Sequence, residues 1–352
     1  MTESSLQSLL KGKNVVFITV KNKDYIRVTQ IERLLKQEAL SYIVYSSEKG
    51  NPLTRAIDLG KRIRSIDLDS ADVVILGFLP QLLWKRVSRK IGQKEVVVVA
   101  DFFLSLYDTI CLDRKLVSAK GLISKTLRKM DENVLAGAKL VVTDTKADAD
   151  FFASEYNINR DKFEVLYLEA DERIYCKRNG IFEQDSYKEK ASESKETTGN
   201  CIKEVLYFGT GLPLQGTDVV LEAIDKVASK SNIKCTYIGG TKGISEGLLK
   251  RLSEHPNVEM IDWLTQEELS ARIAEASLCI AGHFNPDIDK ADRTIPGKAY
   301  IYEAMGKPMI LGDTKANHEL FKEDEEHTFV RRGDSVALAE AIQRVIDHGG
   351  EV

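Results

Sequence analysis

Between Lys290 and Asp313 the chain reads KADRTIPGKAYIYEAMGKPMILGD. Its first part predicts a helix start with Arg293, Lys298 and Glu303 around it. Its second part, Pro308-Met309-Ile310-Leu311, predicts a buried strand. A helix N-terminus offers free N–H groups and the positive end of its dipole, and both favour an anion. Arg and Lys beside it suit a diphosphate, and a Glu one to two turns further on can reach ribose hydroxyls. The stretch therefore predicts a nucleotide-diphosphate site on a helix that feeds a buried strand. Such helix-strand alternation is the mark of a parallel α/β sheet.

The same alternation runs outward in both directions. In the second half, strands are expected at 204–208 (EVLYF), 235–238, 258–261 and 278–281, and helices at 218–228, 248–253, 266–276 and 337–347. In the first half, strands are expected at 14–20 (NVVFITV), 41–45, 71–76, 95–100, 139–143 and 163–168, and helices at 25–37, 82–91, 121–136 and 146–156. Continuous apolar runs such as NVVFITV suit strands buried on both faces of a parallel sheet. Between them the stretch 176–203 is polar, charged and almost free of aliphatic residues, which reads as a linker or surface loop. The expected organisation is a first domain at 1–175, a linker at 176–203 and a second domain at 204–352, with the last helix free to pack back toward the first domain. Ligands of doubly wound sheets bind beyond the carboxyl ends of the strands, so the expected site is a central cleft that the two domains face.

At 352 residues, two domains are the natural expectation. Hydrophobic residues make up 43% and charged residues 30%, an ordinary soluble composition. No apolar run approaches the ~18 residues of a membrane span. The start, MTESSLQSLLKGK, has no apolar core or cleavage site of a secretory signal, so a cytoplasmic protein is expected. Cys111, Cys176, Cys201, Cys235 and Cys279 are scattered and form no CxxC pair, which fits reduced thiols better than a disulfide frame or zinc site. The net charge of −4 conceals an asymmetry: residues 1–178 hold 30 of the 50 Lys and Arg and 24 of the 54 Asp and Glu. That half is net basic by 6 and the remainder net acidic by 10. No reading motif accompanies the basic residues, so nucleic acid is not an expected partner.

A second feature points to the same site as the opening stretch. Tyr207-Phe-Gly-Thr-Gly-Leu-Pro-Leu-Gln-Gly216 predicts a strand, a glycine-containing loop and a helix start. Gly209, Gly211 and Gly216 would let backbone approach a phosphate or sugar closely. The spacing is neither a dinucleotide fingerprint nor a P-loop. His283 follows the strand at 278–281, where a side chain can reach a ligand. Asp287-Ile-Asp289 spells DxD, but in HFNPDIDKAD it reads as a polar loop, and no metal site is expected. Asp101 follows a strand end and Asp108 lies seven residues on; each is a candidate for orienting or deprotonating an acceptor, with helix capping as the plainer reading.

Arg293-Thr-Ile-Pro-Gly-Lys298 and Tyr302-Glu-Ala-Met-Gly-Lys-Pro-Met-Ile310 together resemble the donor-site signature of GT-B fold glycosyltransferases, close to glycosyltransferase family 4. Tyr207–Gly216 resembles the first loop of that family's C-terminal domain. Ala100–Asp108, Leu112–Lys115 and Val142–Thr145 resemble N-domain segments of a subset of these enzymes. The resemblance implies two Rossmann-like domains facing a central cleft. It also implies metal-independent transfer of a sugar from a nucleotide-sugar with retention at the anomeric carbon. The donor would be a UDP-sugar, with a GDP-sugar as second choice, and no further cofactor. The acceptor would be a glycan, a lipid-linked molecule or another hydroxyl compound, as in polysaccharide biosynthesis. By residue, the resemblance assigns Glu303 to the ribose, Arg293 and Lys298 to the diphosphate, and Gly209, Thr210, Gly211 and Gly216 to the loop beneath the donor. His283 stays a donor-contact candidate. Catalytic candidates are Asp101, Asp108, Arg293 and Lys298.

The chain departs from the family at two places. Thr210 and Gln215 stand where many members carry Arg and Lys, and Ile295 stands eight residues before Glu303, where a second Glu is usual. Arg293 and Lys298 are therefore expected to carry most of the charge stabilisation. Two other readings stay open: a GT-B-shaped partner subunit without activity of its own, and a nucleotide-sugar 2-epimerase of similar shape.

One segment stands apart from the donor site. Arg114, Lys115, Lys120, Lys125, Arg128 and Lys129 follow Asp113 with no acidic residue among them, and Leu122, Ile123, Leu127 and Met130 fall on roughly one helical face. Such a helix either packs its apolar face into the core or lies on anionic lipid, in which case the protein would sit peripherally at the inner face of a membrane through 114–130.

Overall fold

The computed structural model describes residues 5–92, 95–177, 202–230 and 232–348. Nearly all of the expected linker, with Cys201, lies outside the described residues. The chain forms two units: Met1–Glu169 with Ile288–Ile295, and Ala170–Asp287 with Pro296–Val352. Both differ from the expected bounds, because the first unit ends earlier and takes in a short piece of the second half.

The first unit carries six parallel strands: β1 (Asn14–Thr19), β2 (Ser41–Tyr45), β3 (Val73–Gly77), β4 (Val97–Asp101), β5 (Leu140–Thr143) and β6 (Phe163–Val165). Their order is β2-β1-β3-β4-β5-β6. Alternate residues of β1 and β3 feed opposite faces. Val16, Ile18, Val74 and Leu76 pack with Ala56, Leu59, Leu83 and Val87 of helices Pro52–Arg62 and Gln81–Ile91. Val15, Phe17, Val73 and Ile75 pack with Val28, Ile31 and Leu35 of helix Ile26–Glu38. The sheet is thus covered on both sides, as continuous apolar strands require. Helix Pro52–Arg62 is not among the expected elements, although its start is marked in the sequence. Asn51 accepts the Thr54 N–H at 3.0 Å, and Pro52 occupies the first turn, where its missing N–H costs nothing.

The second unit repeats the plan with β7 (Lys203–Gly209), β8 (Ile233–Gly239), β9 (Val258–Ile261), β10 (Leu278–Gly282), β11 (Met309–Gly312) and β12 (His327–Val330). The order β12-β11-β10-β7-β8-β9 is all parallel. Counted within the unit, this is the order of dinucleotide-binding sheets read from the other edge. Val205 and Tyr207 pack with Val220, Leu221 and Ile224 of helix Thr217–Val227 and with Leu338, Ala341 and Ile342 of helix Ser335–His348. The last helix is therefore part of this unit's core.

The opening stretch forms two helices rather than one, Lys290–Arg293 and Gly297–Ala304. Thr294 and Pro296 have extended backbone, and Pro296 has no N–H with which to continue the first helix. The break coincides with the passage from one unit to the other, between Ile295 and Pro296.

Candidate active site

In the second unit the strand order reverses between β7 and β10, which pair directly. Loops leaving the carboxyl ends of two such strands part to opposite faces and leave a ligand-binding crevice. Here those loops are Gly209–Gly216 and 282–287, and they are laced together. The Phe284 N–H donates to the Gln215 carbonyl at 3.2 Å, and the Asn285 amide donates to the Pro213 carbonyl at 2.9 Å. Gly216 has φ +61°, and a Cβ there would stand 2.7 Å from the Asn285 nitrogen and the Phe284 carbonyl carbon. Glycine is thus required both by conformation and by the approach of the neighbouring loop. Gly209 and His283 are buried, whereas Thr210 and Gly211 face solvent.

Lys298 lies in the first turn of helix Gly297–Ala304, the helix that follows this switch point. Only 5% of it is exposed, and its Nζ has no hydrogen-bond partner. The ammonium sits 3.9 Å from the centre of the Tyr207 ring and 5.5 Å from that of Phe208. The Tyr207 hydroxyl bonds Thr217 Oγ1 at 3.2 Å, and the buried Gln215 Oε1, also without a partner, lies beside Gly209. Burial pushes the Lys298 pKa well below the usual lysine value. A ring face recovers part of the lost hydration of an ammonium, but no opposite charge meets it. The switch point therefore presents a helix N-terminus, a glycine loop and an uncompensated cation, which together suit an anion.

Glu303 is not brought to this place. Its Oε2 bonds His327 Nε2 at 2.9 Å, and His327 Nδ1 bonds Asp324 Oδ1 at 2.9 Å. His327 is the first residue of β12 and pairs in register with Met309, the first residue of β11. Glu303 therefore lies at the amino-terminal ends of the strands, opposite the switch point. The cause is the helix itself: it runs back antiparallel to the strands, so Lys298 and Glu303, five residues apart, mark its two ends. The ribose role that the resemblance assigns to Glu303 would require it to leave His327. Burial works against charge on His327, but bonds from Glu303 and Asp324 outweigh it and hold its pKa above the ordinary histidine value. A raised histidine pKa contributes stability that is complete below the unfolded-state value, near 6.5, and lost as pH rises through the folded-state value. Glu303→Gln should reduce the loss of melting temperature between pH 6 and 8 while leaving nucleotide affinity unchanged. A sharp loss of affinity would restore the ribose role.

Arg293 is held in the first unit. Its Nη1 pairs with Asp148, its Nη2 lies 2.9 Å from Asp108 Oδ1, and its guanidinium stacks 3.6 Å from the centre of the Phe151 ring. The Arg293 carbonyl accepts the Thr145 hydroxyl at 2.6 Å, and Lys290 Nζ reaches Thr109 Oγ1 at 2.9 Å and Asp108 Oδ2 at 3.6 Å. All four charged groups are buried. Asp108 opens a π-helical turn, Asp108–Asp113, a geometry that recurs at functional sites. Asp131 supports the turn before it by accepting the Leu106 and Tyr107 N–H groups and the Ser105 hydroxyl. Asp101, at the carboxyl end of β4, pairs with the fully buried Arg27 at 3.2 Å and accepts the Phe78 N–H at 3.3 Å. Burial raises its carboxyl pKa, and Arg27 opposes that rise. Thus Lys298 and the glycines gather at one switch point, while Arg293, Asp108 and Asp101 are tied into the first unit's interior. Asp148, Arg27 and His327 were not among the expected site residues. Thr145 and Asp148 do carry a helix-start signature, since the Thr145 side chain accepts the Asp148 N–H, but nothing local to it names Arg293 as a partner.

Residues 202–348 match the family model for glycosyl transferases group 1. With two doubly wound units in one chain, the fold is GT-B, and the match to glycosyl transferases group 1 lies in the second unit. No curated protein matches it in sequence. Among solved structures it is similar to HepE from Anabaena in complex with UDP, at 12% identity over 96% of this chain and 91% of that one, with a TM-score of 0.63. It is similar to sucrose-phosphate synthase from Thermosynechococcus elongatus, at 11% identity over 96% and 90%, with a TM-score of 0.67. It is also similar to UDP-GlcNAc 2-epimerase from Neisseria meningitidis, at 11% over 96% and 92%, with a TM-score of 0.51. Among the described residues no helix is long and apolar enough to cross a membrane.

Proposed function

We propose that the protein transfers a sugar from a UDP-sugar to a glycan, lipid-linked or other hydroxyl acceptor, with retention and without a metal ion. The observation that carries this reading is Lys298, a buried ammonium without a counter-ion in the first turn of a helix at the second unit's switch point. Breaking a sugar–phosphate bond builds negative charge on the leaving diphosphate. A preplaced cation and N–H donors stabilise that charge, at about 3 kcal/mol per good donor. Gly209, Thr210, Gly211 and Gly216 would let the backbone close on the donor, with His283 beside them. Complexes of HepE with UDP and UDP-glucose support uridine as the base. Trp263, 74% exposed just past the carboxyl end of β9, is the aromatic surface on which a base could stack.

Asp101 and Asp108 each hold a buried cation, so we assign them to positioning, and the leaving phosphate accepts the acceptor's proton. The likeness to a 2-epimerase favours one second reading, isomerisation of the sugar nucleotide without an acceptor.

A thermal-shift series with UDP, GDP, ADP and their glucose and N-acetylglucosamine conjugates tests the donor. A ligand at about 100 times its Kd should add about 2.7 kcal/mol of stability. Proton NMR of the stabilising conjugate then separates the outcomes: sugar transfer or slow hydrolysis supports the proposal, and an isomerised sugar nucleotide supports the epimerase. Binding without turnover on any acceptor would point to a partner subunit.

A further inference from the structure

The expected apolar face of 114–130 does not exist as one face. Leu127 and Met130 pack against the first unit's core, whereas Leu122 is 82% and Ile123 61% exposed. Leu116, 70% exposed, and Leu112, 38% exposed, join them from the preceding loop. Arg114, Lys115, Lys120 and Lys125 of the same stretch are exposed too, and among the described residues none of them forms an ion pair within 4 Å. Arg128 and Lys129, one turn deeper, are instead paired with Glu155 and Glu132. The acidic residue of the stretch, Asp113, is buried.

The surface is ordered by its own backbone. The Leu116 N–H donates to the Ile110 carbonyl at 2.9 Å, the Gly121 N–H to Ser118 at 3.1 Å, and the Ser124 hydroxyl to Ala119 and Gly121 at 2.9 and 2.7 Å. The exposed leucines are therefore held outward on a formed turn. Large apolar side chains clustered in water mark a binding surface.

We propose that residues 112–126 dock on an anionic lipid bilayer, with Leu112, Leu116, Leu122 and Ile123 entering the acyl boundary and the four cations meeting lipid phosphates. Charge complementarity selects this occupant. Every exposed charge of residues 112–126 is positive, and the exposed apolar residues alternate with the cations along the chain. A bilayer offers an apolar layer beneath a continuous anionic plane, in that order of depth. The net basic first half of the chain adds to the attraction. The donor site plays no part in the argument, so this proposal and the transferase reading stand or fall separately.

Flotation of the full chain with vesicles tests it. Binding is expected to vesicles of phosphatidylcholine with one-third phosphatidylglycerol, not to phosphatidylcholine alone, and to weaken as salt rises. Lys115→Gln, Lys120→Gln and Lys125→Gln combined should weaken binding on the order of 100-fold, at about fivefold per cation. Leu116→Ser, Leu122→Ser and Ile123→Ser combined should weaken it at least tenfold, with an unchanged circular dichroism spectrum and melting temperature. Equal binding to neutral vesicles, no binding to anionic ones, or full binding by either folded variant would overturn the proposal. With no binding to anionic vesicles, an acidic protein becomes the partner to seek.

Discussion

Lys298→Met should leave a protein that binds nucleoside diphosphates at least about 30-fold more weakly and yet melts at a higher temperature. The two effects share one cause. Lys298 is buried, its Nζ has no partner, and burial holds its pKa well below the usual value. The folded state thus binds this proton less readily than the unfolded chain. Stability therefore rises with pH between the folded-state value and the ordinary lysine value near 10.4. Below that window the unfolded chain keeps a charge that the fold disfavours. Methionine fills a similar volume without this conflict, and removing a buried unmatched polar group is worth about 1–3 kcal/mol. For a unit of this size that is roughly 2–12 °C in Tm. The gain should shrink toward pH 10.

Binding moves the other way, because truncating one partner of a buried charge contact costs about 2–5 kcal/mol, about 30-fold to several thousandfold. A diphosphate would also return the missing counter-charge and raise the Lys298 pKa, so its binding should take up protons wherever the amine is partly neutral, and weaken as pH rises. Calorimetry in buffers of different ionisation enthalpy reads that uptake. A Lys298→Met protein of unchanged stability and unchanged UDP affinity would show that the ammonium is only packing.

Arg293→Met should produce the opposite pattern, a large loss of stability with donor affinity retained. The guanidinium neutralises Asp108 and Asp148 in the interior of the first unit and covers the Phe151 ring. Breaking a buried pair leaves an uncompensated charge and costs about 3–5 kcal/mol. Lys290 remains 3.6 Å from Asp108, so Asp148 bears most of the cost. A fall in Tm of roughly 6–20 °C is expected. Asp148→Asn in the same chain should recover part of it, because partners in one network are not additive. Scanning calorimetry of the single and double variants gives the coupling, and UDP titration of the folded single variant gives the affinity. Unchanged stability with a 100-fold weaker donor would return Arg293 to the diphosphate.

These two residues show where the reading of the chain was complete and where it was not. The apolar runs in β1, β3 and β7 and the helices between them announce two parallel, doubly wound sheets, since an apolar strand needs cover on both faces and covalent crossovers supply it. The loop Gly209–Gly216 was legible for the same reason: strain at Gly216 and close approach at Gly209 restrict residue type at known places. Lys298 was legible because helix start, glycine and lysine are neighbours in the chain. Helix Pro52–Arg62 carried its cap and its first-turn proline in plain view, yet only its packing on β1 and β3 shows why those signals mattered.

By itself, then, the sequence determined fold class, most of the order of strands and helices, and the place of a glycine-rich turn and a helix start with a lysine, all of which depend on neighbours within a few residues. Tertiary structure decided which charges remain available. Arg293, Lys298 and Glu303 look like one cluster over eleven residues of sequence. The break at Pro296 sends Arg293 to Asp108 and Asp148, the helix axis carries Glu303 to His327, and Lys298 alone is left without a counter-ion. A buried charge is settled by whatever opposite charge lies within a few ångströms, and the partners of Arg293 lie 145 and 185 residues away in sequence. Local sequence can name a charged residue; only the fold names its partner.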